Sequence, residues 1–350
     1  MNINMVLTPS ELSDFLLHTA VVRPVFIWGP PGIGKSSLVQ KFADQVGLHC
    51  ISLLGSQLAP EDLIGVPQIV DGKSRFCPPT MIAREEPYCL FLDELNACSH
   101  EVQKALYSLI LERRVGEYRM PKGSIVIGAG NRAEDNAIVK PMSSALINRM
   151  VHVQLKASHR DWLAWAESSE IHPWVMDYIK TRPDHLWSKP PKHEAPFPTP
   201  RGWHMLSDSL KQYDEKIPEK LIEILAYGTL SPEHAGQFKS FIKQIHNKYA
   251  LNEILKGDLR WPGKPEDRDI LYFLAQSFRA YLVKMLPEEN GKLGQSQKEL
   301  AIRAKGLLKE LAAISLEIAQ MVVAETDADN ALPNWFLVEI VRDLPRLAQK

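Results

Sequence analysis

The stretch Phe26–Ser36 constrains the fold of this chain more than any other. It reads as an apolar run, a turn rich in glycine and proline, and then a helical pattern, and it fits the signature G-x-x-x-x-G-K-[ST]. Glycines in such a turn let successive backbone N–H groups point towards phosphate oxygens, with the positive end of the following helix behind them. The stretch therefore predicts a nucleotide-binding loop made of Gly29, Pro30, Pro31, Gly32, Ile33, Gly34, Lys35, Ser36 and Ser37.

Two side chains of this loop have distinct predicted roles. Lys35 would reach the β- and γ-phosphates of a nucleotide, and the Ser36 hydroxyl would be a ligand of Mg²⁺. Loops of glycine and proline also follow strands without binding anything. The apolar run Val25–Trp28 before the loop and the helix-compatible Ser37–Val46 after it favour nucleotide binding, with ATP and Mg²⁺ as the expected cofactors.

A second apolar run, Tyr88–Leu92, leads directly into two acids. It is typical of a buried strand of a parallel sheet, and such sheets bind their ligands at the carboxyl ends of the strands. Asp93 is suited to hold the hydrated Mg²⁺, and Glu94 is suited to polarise the water that attacks the γ-phosphate. The alternative is that both acids only cap the helix that begins near Ser99. A strand that ends in paired acids some sixty residues after a phosphate loop favours the catalytic interpretation.

A third predicted strand, Ser124–Arg132, ends in polar residues. The carboxamide of Asn131 would lie near the γ-phosphate, where it can bond the attacking water or a phosphate oxygen. An asparagine at a strand end is also a common turn former. Its place after the two preceding motifs is what gives Asn131 a predicted role.

The sequence around these motifs also predicts local structure. Thr8-Pro9-Ser10-Glu11 has the form of a capping box and opens a short helix. Leu48–Leu54 is a strand candidate, and Asp71-Gly72 between two short apolar pieces predicts a β-hairpin. A second hairpin is expected at Val115–Tyr118. The first hairpin could be a working loop or a surface decoration.

Composition limits the class of protein. At 350 residues, with 45% hydrophobic and 24% charged residues, the chain should form a large α/β domain and a smaller one. A net charge of −1 gives no support to a nucleic-acid or anionic-membrane partner. The four cysteines lack metal-binding spacing and are expected to be buried, reduced thiols. No signal-peptide pattern opens the sequence and no apolar run is long enough to cross a bilayer, so we expect a cytoplasmic protein without a membrane partner.

The motifs occur in the order GPPGIGKS, an inserted hairpin, CLFLDE, a helix, a second hairpin, GAGNR and SSALINRM. In this order the chain resembles an AAA+ ATPase of the MoxR type, in the group with an insertion in the second helix, over roughly residues 5–215. The resemblance implies an α/β P-loop NTPase core with a parallel sheet, followed by an all-α lid. Because the tail after Arg201 is longer than a lid of this family needs, we also expect a C-terminal helical extension. The resemblance also implies that Asn131 is sensor 1, that Arg149 is an arginine finger reaching the nucleotide of a neighbouring subunit, and that Arg201 is sensor 2.

Each arginine also has a simpler interpretation. Arg149 could be a cation that stabilises the end of a helix, and Arg201 could be part of an ordinary Pro-Arg helix start. Where the family usually has an acid before the finger and a phenylalanine after it, this chain has Asn148 and Met150. Arg113, with Arg114, could supply a second contact to a neighbour or remain a solvated surface charge.

The expected organisation is a core over residues 1–157, a helical segment and proline-rich linker over 158–200, a lid over 201–260 and an extension over 261–350. The extension contains apolar residues with 4-3 spacing: Leu300, Ala304, Leu307, Leu311, Ile314, Ile318 and Met321. This seam could pair with another helix. The favoured interpretation is one long amphipathic helix that buries a face on Leu271–Leu286.

The motifs predict a Mg²⁺-dependent ATPase, and the resemblance implies that it assembles as a homo-oligomeric, hexameric ring and remodels a client protein. On resemblance alone, the client is expected to be a protein with a von Willebrand A domain. One rival is a nucleic-acid motor, for which the hairpins offer only Lys73, Arg75, Arg119 and Lys122. The other rival is a nucleotide-gated switch that scarcely hydrolyses ATP.

Overall fold

The computed structural model describes residues 6–132, 142–213, 217–246, 249, 251–288, 294–324 and 331–343. The chain forms two compact units. The first contains residues 1–171 and 186–205, and the second contains residues 172–185 and 206–350.

The first unit is built on a parallel sheet. The described strands of this unit, of which six form the sheet and four form two hairpins, are β1 (Val6–Leu7), β2 (Val25–Trp28), β3 (His49–Leu54), β4 (Val66–Val70), β5 (Lys73–Cys77), β6 (Tyr88–Asp93), β7 (Arg114–Val115), β8 (Tyr118–Arg119), β9 (Ile125–Gly130) and β10 (Val151–Leu155). The sheet has the order β1-β10-β2-β9-β6-β3, and its neighbouring strands run parallel. The carboxyl ends of β2, β6 and β9 therefore meet at one edge, which confirms the predicted fold class.

Helices cover both faces of this sheet. They are α1 (Pro9–Thr19), α2 (Lys35–Gln45), α3 (Glu61–Ile64), α4 (His100–Glu112), α5 (Ser144–Ile147) and α6 (His159–Ser168). Two separate apolar clusters form, one centred on α1 and α2 and the other on α4 and α5. The central strands are buried on both faces, which explains their continuous apolar sequences. The predicted capping box at Thr8 is present, with both of its hydrogen bonds.

Both predicted hairpins form, as β4–β5 and β7–β8. Asp71 and Gly72 connect the first pair with φ of 52° and 73°, the left-handed conformations that a two-residue hairpin turn requires. Arg75 of the first hairpin forms an ion pair with Glu117 of the second, with 2.6 Å between Nε and Oε2. The two insertions therefore lie side by side.

The second unit is helical in the residues that the structure describes. Its helices are α7 (Pro173–Thr181), the end of α8 (Pro200–Lys211), α9 (Glu219–Thr229), α10 (Pro232–His246), α11 (Leu251–Lys256), α12 (Arg268–Met285), α13 (Gln295–Ile314), α14 (Leu316–Val323) and α15 (Asn334–Asp343). Apolar side chains of α11 to α15 form one buried cluster around α12. The helical character after Pro200 and the break before Arg268 agree with the sequence.

The prediction of one long helix in the extension is wrong. The segment divides into α13 and α14, with Ser315 between them in extended conformation, and the Ser315 hydroxyl caps α14 by accepting the Ile318 N–H. The seam is nevertheless buried in its own chain: Ala304, Leu307, Leu311 and Ile318 belong to the α12 cluster. Ile314 is 42% exposed because it stands at the break. The apolar residues of the seam are therefore buried by two shorter helices, α13 and α14, and not by one face of a continuous helix.

Two further predictions can be compared with the described residues. All four cysteines are free thiols, but only Cys89 and Cys98 are buried, whereas Cys50 and Cys77 are partly exposed. Burial of all four was therefore a wrong expectation. Among the described helices, none combines the length and the apolar character needed to cross a bilayer.

Candidate functional site

The loop between β2 and α2 has the backbone of a phosphate cradle. Gly32 and Gly34 have φ of 74° and 100°, conformations that residues with a Cβ rarely adopt. Gly34 is the N-cap of α2 and makes no side-chain cap, so the first N–H groups of this helix have no capping side chain. Helix N-termini with such N–H groups bind anions. The local geometry therefore matches the sequence signature.

Lys35 is buried and lies at the centre of the loop. Its Nζ donates to the carbonyl oxygens of Gly29 at 2.7 Å and Pro30 at 3.0 Å, and to Asn131 Oδ1 at 2.8 Å. Lys35 and Asn131 are 96 positions apart in the sequence. The adjacent strands β2 and β9 bring them together. The predicted phosphate-binding lysine and the predicted sensor asparagine thus share one hydrogen bond.

The two predicted magnesium ligands also meet. Ser36 Oγ donates to Asp93 Oδ2 at 2.6 Å, across 57 positions of sequence. Both residues are partly exposed, and both offer hard oxygen donors of the kind that Mg²⁺ prefers. Because Mg²⁺ is usually held by one or two protein oxygens together with substrate phosphates and water, this pair fits the ion.

Glu94 follows Asp93 in a left-handed backbone conformation, with φ of 51°. A non-glycine residue in this region stores about 1–3 kcal/mol of strain, and such residues cluster at functional sites. The Glu94 carboxylate accepts a hydrogen bond from Ser56 Oγ at 2.7 Å. Ser56 lies in the 3₁₀ turn Gly55–Gln57 directly after β3, so β3 adds a fourth strand end to this edge, beside those of β2, β6 and β9.

Asn96 holds the other side of the sensor position. It is 4% exposed, and its Nδ2 donates to the backbone oxygen of Asn131 at 2.7 Å. Asn131 is therefore fixed through both its backbone and its side chain. A buried carboxamide with a defined partner holds the end of β9 rigidly beside the loop.

Arg149 lies outside this cluster, in the turn between α5 and β10. Its guanidinium donates from Nη1 to the Ala145 carbonyl at 2.7 Å and lies over the Tyr107 ring, 5.5 Å from the centroid. Tyr107 in turn shares a short hydrogen bond with Ser143. A guanidinium has five N–H donors, and the bond to the Ala145 carbonyl uses one of them.

Arg201 is brought to the loop through its backbone. Its N–H donates to the Gly32 carbonyl at 3.1 Å, while its side chain is exposed. Thr199 begins α8 by accepting the Gly202 N–H on Oγ1, and a Cβ built on Gly32 would lie 2.8 Å from that oxygen. The start of α8 therefore packs directly on the phosphate loop.

The two arginines that follow α4 differ from each other. Arg113 is partly buried in a left-handed C-cap conformation and donates from Nη1 to the Ser124 carbonyl at 3.2 Å. Burial lowers the pKa of Arg113 from its ordinary value. Arg114 is exposed and donates to the Gly116 carbonyl at 2.6 Å. Of the two interpretations, Arg113 is thus not simply a solvated surface charge.

Comparison with known proteins finds a family model that matches part of the chain. The model of the AAA domain, dynein-related subfamily, matches residues 24–150, the range that holds the loop, the paired acids, Asn131 and Arg149. Residues 24–150 form an AAA+ domain. AAA+ ATPases use ATP with Mg²⁺, and the core with its six parallel strands and helical C-terminal part has the AAA+ architecture.

Several named proteins and solved structures are similar to this chain. Midasin of Giardia intestinalis is 28% identical over 169 residues, which are 45% of this chain and 4% of midasin. The ATP-dependent zinc metalloprotease FtsH 2 of Sorangium cellulosum is 31% identical over 166 residues, 41% of this chain and 26% of that protein. Among solved structures, a RuvB mutant of Thermotoga maritima is 15% identical and covers 94% of this chain and 87% of that chain, with a TM-score of 0.40. The chain spans about a quarter or less of these two curated relatives.

The sequence did not single out three residues that hold the AAA+ site together. Ser56 and Asn96 are common polar residues next to strand ends, and nothing in their spacing sets them apart. Thr199 could have been found, because Thr-Pro is a helix N-terminal signal and the helix that it starts was predicted.

Proposed function

We propose that this chain binds ATP with Mg²⁺ and hydrolyses it, with Glu94 orienting the attacking water. The observation that supports this most is the convergence of two side-chain pairs from separate strand ends, Lys35 with Asn131 and Ser36 with Asp93. Phosphate-loop enzymes catalyse phosphoryl transfer almost entirely by positioning and by electrostatic stabilisation. A buried ammonium, a metal-binding oxygen pair and a nearby carboxylate are the groups that such a mechanism needs.

In this proposal each residue of the site has one task. The N–H groups at the start of α2 and the Lys35 ammonium bind the phosphates. Ser36 and Asp93 would hold Mg²⁺, which neutralises charge on the phosphates when it is bound. Asn131 donates from its amide to the reacting phosphate or water, and Arg201 approaches the nucleotide from the start of α8.

We further propose that the active form is a homo-oligomeric ring, hexameric by resemblance to the MoxR type. Arg149 then completes the catalytic site of the neighbouring subunit. ATP turnover would remodel a client protein, with a von Willebrand A-domain protein as the expected partner. The guanidinium is partly exposed, lies in a turn away from its own phosphate loop and donates to the Ala145 carbonyl; this placement supports a role in trans. We also propose that the chain divides at residues 157, 200 and 260.

A nucleic-acid motor is the second candidate. The relative named Holliday junction branch migration complex subunit RuvB, from Synechococcus sp., is 23% identical over 118 residues. Against this candidate, Arg75 on the first hairpin is neutralised by Glu117. DNA binding that weakens steeply with salt in a gel shift would favour this candidate, because counterion release dominates such affinity.

The substitution Glu94→Gln tests hydrolysis directly. It keeps the size of the side chain and a hydrogen-bond partner for Ser56 but removes the basic carboxylate. We expect phosphate release to fall by about 100-fold or more while ATP stays bound. The measurement is phosphate release together with bound, unhydrolysed ATP recovered after gel filtration.

The control for this test is Glu86→Gln, which changes an exposed glutamate before β6 in the same unit. It should leave both quantities unchanged. Phosphate release by Glu94→Gln equal to that of the unmodified protein would refute Glu94 as the base. Absence of turnover in the unmodified protein, with tight ATP binding, would instead favour the nucleotide-gated switch.

A further inference from the structure

A continuous line of hydrogen bonds joins the strand before the phosphate loop to the turn that carries Arg149. Trp28, the last residue of β2, donates its indole Nε1–H to His152 Nδ1 at 3.0 Å. His152 Nε2 lies 2.8 Å from the carbonyl oxygen of Ile147, the last residue of α5. Because Nδ1 accepts the indole hydrogen, the imidazole hydrogen belongs on Nε2 and is donated to Ile147. Neutral His152 therefore uses both of its nitrogens.

The imidazole is also held by ring contacts. His152 and Phe26 are register partners on β10 and β2, and their ring centroids are 5.5 Å apart. The Trp28 ring stacks on His152 with an angle of 25° between the planes and 6.0 Å between the centroids. Burial lowers the pKa of His152, which keeps the ring neutral at pH 7. The ring is thus fixed in position and in tautomer.

The bond from His152 to Ile147 encloses the turn that contains Arg149. The backbone N–H of Arg149 donates to the Leu146 carbonyl at 3.1 Å, so the position of this residue depends on where α5 ends. At the Ile147 carbonyl, the His152 side chain of β10 forms a hydrogen bond to the last residue of α5. Within the described residues, this bond is a side-chain connection between β10 and the end of α5, and its loss would leave the turn with Arg149 less firmly held.

We infer that His152 is a positioning residue for Arg149, which it holds in the geometry needed to reach the nucleotide of the neighbouring subunit. This inference rests on the proposed role of Arg149 in trans. Trp28 precedes Gly29 directly, so the same line of contacts links the phosphate loop of one site to the arginine offered to the next. The bond to Ile147 lies on the Arg149 side, and the phosphate loop itself keeps its residues, so loss of His152 should impair the site of the neighbour more than the site of its own subunit.

Mixing two variants in one ring distinguishes damage to the site of the neighbour from damage to the site of the same subunit. His152→Phe keeps the ring but removes both hydrogen bonds, and we expect phosphate release to fall about tenfold or more because misplacement by about 1 Å can be that costly. ATP affinity should stay within about threefold, since the phosphate loop is unchanged. Mixed in equal amounts with Glu94→Gln, which has an inactive site but an intact Arg149, the His152→Phe subunits should recover activity severalfold. His152→Gln, with an amide that can donate and accept, should retain more activity than His152→Phe.

Arg149→Ala mixed with Glu94→Gln is the reference for the same experiment. Recovery in this reference mixture but not in the His152→Phe mixture would overturn the inference while leaving Arg149 in its proposed role. No recovery in the reference mixture would refute the trans role itself, and the inference with it. If His152→Phe does not fold, Trp28→Phe removes the indole that donates to Nδ1 and fixes the tautomer of His152. A partial loss of phosphate release that recovers on mixing then supports the inference, and a loss that does not recover overturns it.

Discussion

At the residue scale, the site depends on bonds between positions far apart in the sequence. Lys35 and Asn131 illustrate this, because the lysine is recognisable from its motif whereas the asparagine has a role only through the strand that carries it. The sequence could predict residue types at strand ends, since parallel strands bring those ends to one edge. It could not predict that Ser56 would hold Glu94, because a side-chain bond between two loops has no periodic signal.

Replacement of Asn131 by alanine tests the sensor position. The change removes one of the three acceptors described for the Lys35 ammonium and the amide that would face the γ-phosphate. We expect kcat to fall about 10- to 100-fold, as for other lost transition-state donors, with ATP affinity changed less than about threefold. Steady-state phosphate release and equilibrium nucleotide binding check both values.

Lys35→Ala is the contrast for this prediction, since it should abolish ATP binding as well as turnover. If Asn131→Ala weakened ATP binding as strongly as Lys35→Ala, Asn131 would be part of the binding cradle rather than a sensor of the reacting phosphate.

At the scale of elements, strands and hairpins followed the sequence closely and the last long helix did not. The heptad spacing in the extension continues through Ser315, so apolar periodicity alone favours one helix. The structure breaks the helix there because Ser315 caps α14 and the short α14 then packs on α12 within one cluster. Serine is tolerated inside helices, and only the tertiary packing distinguishes the two outcomes.

The cap at Ser315 gives a stability prediction. Ser315→Ala removes the hydroxyl that accepts the Ile318 N–H, and we expect the free energy of unfolding to fall by about 1 kcal/mol. Ser315→Asp keeps a capping oxygen and should remain close to the unmodified protein. Urea unfolding of the full chain measures both. A more stable Ser315→Ala protein would indicate that α13 and α14 merge in solution.

A buried polar cluster in the second unit predicts a pH dependence. His185 accepts a short hydrogen bond from Arg182, and its Nδ1 lies 2.7 Å from the Tyr178 hydroxyl oxygen. The ring centroids of His185 and His234 are 4.4 Å apart. Burial, with the Arg182 charge beside it, holds the pKa of His185 well below its usual value, and burial lowers that of His234. Both histidines are therefore neutral in the folded state.

The sign of the pH effect follows from these lowered pKa values. Below about pH 6.5 the unfolded chain takes up protons on these histidines before the folded chain does, so stability is complete above that pH and falls as the pH decreases. Each histidine contributes a slope of up to about 1.4 kcal/mol per pH unit. Thermal unfolding between pH 8 and pH 5.5 should show the loss, and His234→Phe should reduce it. A melting temperature independent of pH over this range would contradict the account.

At the scale of the whole molecule, the AAA+ core accounts for the proposed nucleotide chemistry, and the proposed ring accounts for the position of Arg149 apart from it. The sequence predicted the core because its motifs are local and ordered. It could not supply the link from Trp28 through His152 to Ile147, because those residues lie on different elements and only their packing joins them.

Specific activity as a function of protein concentration tests the central claim most directly. Phosphate release and mass photometry are measured on the same samples, with saturating ATP and Mg²⁺, from nanomolar to micromolar protein. A site completed by the neighbouring Arg149 predicts that activity per subunit rises with the fraction of rings, and that Arg149→Ala abolishes this rise. Constant activity per subunit in a monomer, equal with and without Arg149, would contradict the account.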